Sequence, residues 1–257
     1  MKKKLIVFAL AIWMICFTNA CKESNTTENP GLTIIADASY YPVGEGTSYK
    51  YSVERTDSNG VLSTGTRSTL LSGNAIIEDV PYQVQIDTVD MEGQISASLS
   101  YFRKTESGVF FFFDTTGLSI SLSDSVLQYI TLDTEIRLIY IPISDYSSWI
   151  AFKINFARAI INFNPVEVSV AYDGKDSLTV VNTDVEAVRL KFTLKYQVDP
   201  STVPQSFFAK GWLAKDIGFV KWEGNGAIIG VLTGRGVDLA DTSSVVVMNV
   251  TEYNIQR

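Results

Sequence analysis

The sequence predicts an all-β, mainly antiparallel fold: a large curved sheet, a half-open barrel or a sandwich, with at most one or two short helices. Three observations predict it. Apolar and polar residues alternate with period 2 over several long stretches, which is the pattern of half-buried strands. Turn dipeptides separate those stretches at short intervals. Helical periodicity is sparse. Short connections favour a meander of roughly a dozen strands.

The chain opens with a leader. Lys2, Lys3 and Lys4 precede an unbroken apolar run from Leu5 to Phe17, and Thr18-Asn19-Ala20-Cys21 closes it. A membrane-crossing helix needs roughly 20 apolar residues, whereas the core of an export signal needs about 7 to 15. The run fits the second, so residues 1–20 are expected to be a cleaved signal peptide. Cys16 leaves with it. Cys21 is then the only thiol left, with no intramolecular disulfide partner. A lone exposed thiol is reactive in an oxidising compartment, and lipidation removes that liability. The segment resembles the lipobox of bacterial lipoproteins, although Thr18 and Asn19 stand where Leu and Ser or Ala are usual. That resemblance implies lipidation of Cys21, and Lys22 after it implies the outer membrane. Several acyl chains, at about 0.8 kcal/mol per buried methylene, anchor stably where one would not.

Residues 22–31 carry no large apolar side chain and cannot offset their ordering entropy. Residues 21–38 are therefore expected to be the lipidated cysteine and a flexible tether, and 39–257 a single β-rich domain. The next longest apolar stretch, Ile150 to Phe163, is interrupted by Lys153, Asn155, Arg158 and Asn162, so no second membrane span is expected.

The strands follow in order. Tyr49, Tyr51 and Val53 alternate with Lys50, Ser52 and Glu54. Val80, Tyr82, Val84 and Ile86 alternate with Pro81, Gln83, Gln85 and Asp87, and Pro81 suggests an edge or a bulge. Ile95, Ala97, Leu99 and Tyr101 alternate with Ser96, Ser98 and Ser100. Ile150, Phe152, Ile154 and Phe156 alternate with Ala151, Lys153 and Asn155. The longest case sets Val188, Leu190, Phe192, Leu194, Tyr196 and Val198 against Arg189, Lys191, Thr193, Lys195 and Gln197. Phe110 to Phe113 and Val245 to Met248 are continuously apolar, as in strands buried on both faces. Asn59-Gly60 and Asp173-Gly174 read as hairpin turns, with further breaks at Met91-Glu92-Gly93, Ser107-Gly108 and Gly224-Asn225-Gly226. Ser123-Asp124 would cap one short helix through Ile130, and a brief turn is expected between Pro200 and Phe207.

Composition excludes several chemistries. The chain holds no histidine. Ser-His-Asp and Cys-His nucleophiles, histidine zinc sites and zincin motifs are all ruled out. The net charge is −7 before the leader's lysines are lost, so no nucleic-acid partner is expected. Gly44/Gly46, Gly224/Gly226 and Gly234/Gly236 extend to no phosphate-binding fingerprint. Asp173 and Asp176 read as hairpin residues and not as a calcium site, which needs more oxygen ligands. No metal, cofactor or catalytic residue is expected. Glu78, Asp79, Asp133 and Glu135 are the carboxylates that a glycoside hydrolase could recruit.

Two stretches resemble uncharacterised envelope lipoproteins of Bacteroidota and related bacteria. They are Tyr40-Tyr41-Pro42-Val43-Gly44-Glu45-Gly46-Thr47-Ser48-Tyr49-Lys50-Tyr51 and Trp212-Leu213-Ala214-Lys215-Asp216-Ile217-Gly218-Phe219-Val220-Lys221-Trp222-Glu223. The resemblance implies a curved antiparallel sheet distantly like the lipoprotein-carrier fold, which holds acyl chains in its concavity. It transfers no catalytic residue.

Trp149, Trp212, Trp222, Phe110 and Phe112 are the candidate ligand-binding residues, because rigid apolar surface suits a hydrophobic small molecule. The alternative is that they fill the core. The expected function is a non-catalytic, lipid-anchored envelope protein whose partners are the membrane and either a hydrophobic ligand or an envelope protein. The alternatives are an assembly accessory of an outer-membrane complex and a carbohydrate-active hydrolase. A hollow apolar interior would mark a carrier, a filled core with an exposed apolar patch an accessory, and an acidic cleft a hydrolase.

Overall fold

Long hairpins dominate a computed structural model of the chain, which describes residues 33–113, 128–197, 199, 201–234 and 242–256. The strands are β1 (Ile34–Ala36), β2 (Ser48–Thr56), β3 (Leu62–Ile77), β4 (Val80–Met91), β5 (Gln94–Thr105), β6 (Gly108–Phe112), β7 (Ile130–Leu132), β8 (Glu135–Tyr140), β9 (Ile143–Ser144), β10 (Ser148–Arg158), β11 (Ile161–Val180), β12 (Thr183–Tyr196), β13 (Gln205–Ala214), β14 (Gly218–Asn225) and β15 (Val245–Asn254). One helix, α1 (Gly226–Leu232), follows β14. Cys21 and the leader lie outside the described residues, as does most of the helix expected from Ser123. Its last residue, Ile130, opens β7.

Thirteen strands form one antiparallel sheet in the order β7-β10-β11-β12-β13-β14-β15-β2-β3-β4-β5-β6-β8. Most neighbours are consecutive in the chain, as a meander requires. β1 and β9 pair separately, so β1 falls inside the stretch assigned from sequence to the tether. The sheet curves but does not close into a barrel by backbone pairing. Its two ends meet through side chains. Trp149 Nε1 on β10 donates to the Arg137 carbonyl on β8 at 2.9 Å, and the Phe113 and Phe152 rings lie 4.6 Å apart.

The concave side holds the core. Phe192, Leu190, Leu213, Trp222, Met248, Phe102 and Phe152 are all buried there, and Trp222 stacks on Phe219 at 4.2 Å. The alternation of β2 and β12 points its apolar face inward as read. α1 packs Ile228, Ile229 and Leu232 against the same core. Asn225 starts it by accepting the Ile228 N–H, the usual use of Asn at that position. The sequence reading missed α1 because its run Gly-Ala-Ile-Ile-Gly-Val-Leu has no polar face, and a helix buried on all sides shows no amphipathic period.

The structure corrects four expectations and narrows one, that for Pro81. Asp173-Gly174 is not a hairpin but a bulge inside the 20-residue β11, between Tyr172 and Lys175. Gly174 has φ +112° there, open to a residue without Cβ, and the true turn lies at Val181 and Asn182. Pro81 sits at a local edge and not in a bulge, because β5 pairs with β4 only from Gln83 onward. It is the second residue of a central strand, opposite Ile76 beside a hairpin tip, where a ladder N–H is dispensable. A bulge between Ile150 and Phe152 turns Ile150 outward and buries Ala151. Val245 to Met248 is half-buried, with Val246 and Met248 inside. The last correction matters most: β4 and β5 present their polar faces inward. Gln83, Gln85, Asp87 and Ser100 face the concave side, and Ile86 and Leu99 the convex one.

Candidate functional site

The inverted block β3-β4-β5 builds a polar cluster into an otherwise apolar interior. Arg67 on β3 is 3% exposed and Asp87 on β4 is 1% exposed. Arg67 Nη2 lies 2.6 Å from Asp87 Oδ1, and its Nε donates to the same oxygen at 2.9 Å. Gln85 Nε2 donates to Asp87 Oδ2 at 2.7 Å. Arg67 also donates to the Thr233 carbonyl just beyond α1 at 3.1 Å. Each charge is thus paired and hydrogen-bonded, as burial demands. Ser100 Oγ faces the same interior with no hydrogen-bond partner. From β2, Tyr49 and Tyr51 reach across to donate to the carbonyls of Ile217 and Phe219. Burial raises both tyrosines, and Tyr41 with them, well above the ordinary phenol range. The void among these groups is about 40 Å³, room for a water or two and far below the roughly 300 to 1,000 Å³ of a ligand pocket.

Two rows on the convex face alternate cation, aromatic, cation across three strands. In the first, Phe110 on β6 pairs with Arg103 on β5 and Arg137 on β8. The guanidinium carbons lie 4.5 and 5.1 Å from its ring centre. Two arginines on one ring bury Phe110 on the outer side, while Val109 and Phe111 are buried on the inner side, so the phenylalanine run is covered on both faces as expected. Glu135 holds Arg103 through two hydrogen bonds of 2.6 Å and accepts from Tyr82 at 2.7 Å. Burial alone would raise Glu135, but the bonds from Arg103 and Tyr82 outweigh it and hold the carboxyl below its ordinary value. Burial, and then the bond to Glu135, push Tyr82 up to about 12. Phe112 packs on Tyr82 at 5.7 Å.

In the second row, Trp212 on β13 pairs with Arg189 on β12 and Lys221 on β14. Lys221 Nζ lies 4.6 Å from the Trp212 ring. Trp212 Nε1 and Arg189 Nη1 both donate to Asp176, at 2.7 and 2.6 Å. The Trp212 bond first, and then Arg189 against the cost of burial, lower the Asp176 carboxyl below its ordinary value. Arg189 Nε takes Asp173 at 2.8 Å. The bulge at Asp173-Gly174 is what aims both carboxylates at one guanidinium.

The five candidate ligand-binding residues therefore do not converge. Trp222 is core. Phe110 and Phe112 belong to the first row and Trp212 to the second. Trp149 joins the sheet ends beside an open trough of about 510 Å³ floored by Ser169, Ala171 and Thr193. Of the candidate acids, Glu78 and Asp79 form the β3-β4 hairpin tip, Asp133 accepts the Lys153 N–H, and Glu135 is held by Arg103. No group of three metal-binding side chains occurs among the described residues. The sequence did not single out Arg67 and Asp87. Nothing in the local pattern marks them: Arg67 stands between Thr66 and Ser68 and Asp87 between Ile86 and Thr88, and only the strand pairing turns them inward.

No family model and no curated protein matches the chain. Solved structures similar to it include a candidate lipoprotein from Parabacteroides distasonis, with 13% identity over 84% of this chain and 98% of that one at a TM-score of 0.43. A candidate exported protein with a YmcC-like fold from Bacteroides fragilis has 10% identity over 83% and 98%, at 0.44. The hypothetical lipoprotein YmcC from Escherichia coli has 12% identity over 79% and 84%, at 0.30.

Proposed function

We propose that this chain is a lipid-anchored envelope protein of the outer membrane that acts without catalysis, through contacts made by its convex surface. The filled interior carries this reading. A carrier of acyl chains needs a hollow; the void lined by Tyr51, Arg67 and Trp222 is about 40 Å³, and the space of about 510 Å³ beside Trp149 is an open trough. A glycoside hydrolase needs two carboxyls facing each other across roughly 5 to 10 Å of open cleft. Four of the buried or half-buried acids are instead committed to arginines: Asp87 to Arg67, Glu135 to Arg103, Asp173 and Asp176 to Arg189. A filled core with apolar residues on the outside favours the accessory role over both. The anchor rests on the leader and on Cys21.

Intact-mass analysis of protein purified from its own membranes tests both parts. The expected species begins at Cys21 and carries acyl chains, with no hydrophobic molecule co-extracted in stoichiometric amount. Cys21→Ala is expected to leave the membrane fraction. An unmodified Met1 or a bare thiol at position 21 would sink the anchor. A stoichiometric free lipid or other apolar ligand would sink the surface reading.

A further inference from the structure

The inversion of β3-β4-β5 leaves an apolar face on the outside of the molecule. The register brings its centre together. Leu70, Ile86 and Leu99 stand side by side in one cross-strand row. Val84 and Tyr101 form a neighbouring row on the same face, and Ile95 lies toward the other end, beyond Thr88 and Ala97 and opposite Asp90. Leu70 is 41% exposed, Leu99 55% and Ile95 71%. Scattered exposed apolar residues are ordinary, but a contiguous field of them marks a surface that meets something. Strands that turn polar residues to the interior and apolar ones outward have the polarity of strands whose solvent is lipid.

We propose that this face lies against the leaflet that carries the anchor, its aliphatic side chains entering the boundary between headgroups and acyl chains. The proposal rests on the lipid-anchor reading and names the part of the fold that the anchor presses onto the membrane. The length of the tether permits it. Cys21 stands 12 residues ahead of Thr33, a reach of up to about 40 Å. The chain that follows crosses the ends of β4 and β5 on the concave side, where Tyr41 packs on Phe102 and Phe219. Lys104 Nζ on β5 donates to the carbonyls of Ala38 and Tyr41 at 2.6 and 2.7 Å, and Gln83 Nε2 on β4 donates to that of Val43 at 2.8 Å. Leu99 lies five residues along β5 from Lys104, about 17 Å at roughly 3.3 Å per residue. The tether is therefore long enough to let the anchored leaflet meet the face. The rim carries amphipathic side chains. Tyr101 lies on the outer side of β5, and Arg137 lies over the Phe110 and Tyr140 rings. Arginine and tyrosine combine an apolar body with a polar tip, which is the chemistry of an interfacial belt. The backbone of the block is paired within the sheet, so contact on one face exposes no unpaired peptide group to lipid.

Depth-dependent quenching tests it on the lipidated chain. With Cys21 acylated, Leu99→Cys supplies the one thiol for a fluorophore, at an exposed position. Ser177→Cys, exposed on the distant strand β11, is the control. Each labelled protein is reconstituted into vesicles of phosphatidylethanolamine and phosphatidylglycerol containing doxyl-labelled lipid, and vesicle-bound protein is isolated by flotation. The expected result is quenching severalfold stronger at position 99 than at 177. Equal quenching at the two positions in protein that still floats would overturn the membrane face while leaving the anchor intact. Failure of the unlabelled wild-type chain to float would remove the anchor and this proposal with it. A label at 99 that is shielded from water but not from lipid quenching alone supports the proposal; one that is shielded, unquenched and accompanied by a dimer in sedimentation assigns the face to a second copy of the chain and overturns it.

Discussion

Arg67 and Asp87 are charges placed where a curved sheet ordinarily has aliphatic side chains. Their side chains are 4% and 0% exposed, so neither reaches water, and each depends on the other for compensation. Removing one partner of such a pair leaves an uncompensated buried charge and costs about 3 to 5 kcal/mol. Asp87→Ala also strips Gln85 of its acceptor. Urea unfolding of this variant should therefore show a stability loss of about that size. The double change Arg67→Met with Asp87→Leu removes both charges together and should recover most of the loss, since apolar replacement of a buried pair is often neutral or better. A loss below about 1 kcal/mol for Asp87→Ala would mean that the pair is solvated.

At the scale of the element, the close approach of β13 and β14 depends on a missing side chain. A Cβ built on Gly211 would lie 2.8 Å from both the Phe219 and Trp222 rings, and those rings stack at 4.2 Å in the centre of the core. Gly211→Ala cannot be relieved by a flexible neighbour, because both neighbours are rigid aromatics. The expected cost is about 1 to 3 kcal/mol, typical of overpacking, with a changed near-ultraviolet circular dichroism signal from Trp222. The same scale explains what the sequence made legible. Alternation fixes which residues share a face, so the strands, their hairpins at Asn59-Gly60 and Glu92-Gly93, and the apolar sides of β2 and β12 could all be read. It does not fix which face is inside. Ile95, Leu99 and Ile86 look like core residues until the pairing with β3 turns Arg67 and Thr69 inward beside Gln85 and Asp87. Bulges are the second blind spot. One extra residue at Ile150–Phe152 or at Tyr172–Lys175 flips every side chain beyond it, and a local pattern carries no count of residues on the partner strand. The aromatic candidates were legible as rigid surface, but the two cation-aromatic rows that hold Phe110 and Trp212 join residues from three strands each.

For the whole molecule, the question is how an open 13-stranded sheet stays curved. Backbone pairing ends at β7 on one side and β8 on the other, and β8 and β10 face each other across that gap. The Trp149 indole closes it by donating to the Arg137 carbonyl at 2.9 Å, helped by the Lys153 N–H on the Asp133 carboxylate at 3.0 Å and by the Phe113-Phe152 contact. The first of these ties the seam to the convex arginine row, because Arg137 both receives the indole and covers Phe110. Trp149→Phe keeps an aromatic ring but deletes the donor. It should cost about 1 kcal/mol, the net worth of one such bond, and should do so locally. Hydrogen exchange followed by mass spectrometry is expected to show faster exchange of the β8 and β10 amides and unchanged protection in β12 and β13, whose ladder lies far from the seam. This follows because sheets open in cooperative units from their least-held edge. Uniform acceleration across all strands would instead mean that the seam is required for global stability, and that the curvature is not an intrinsic property of the twisted hairpins but is imposed by joining their ends.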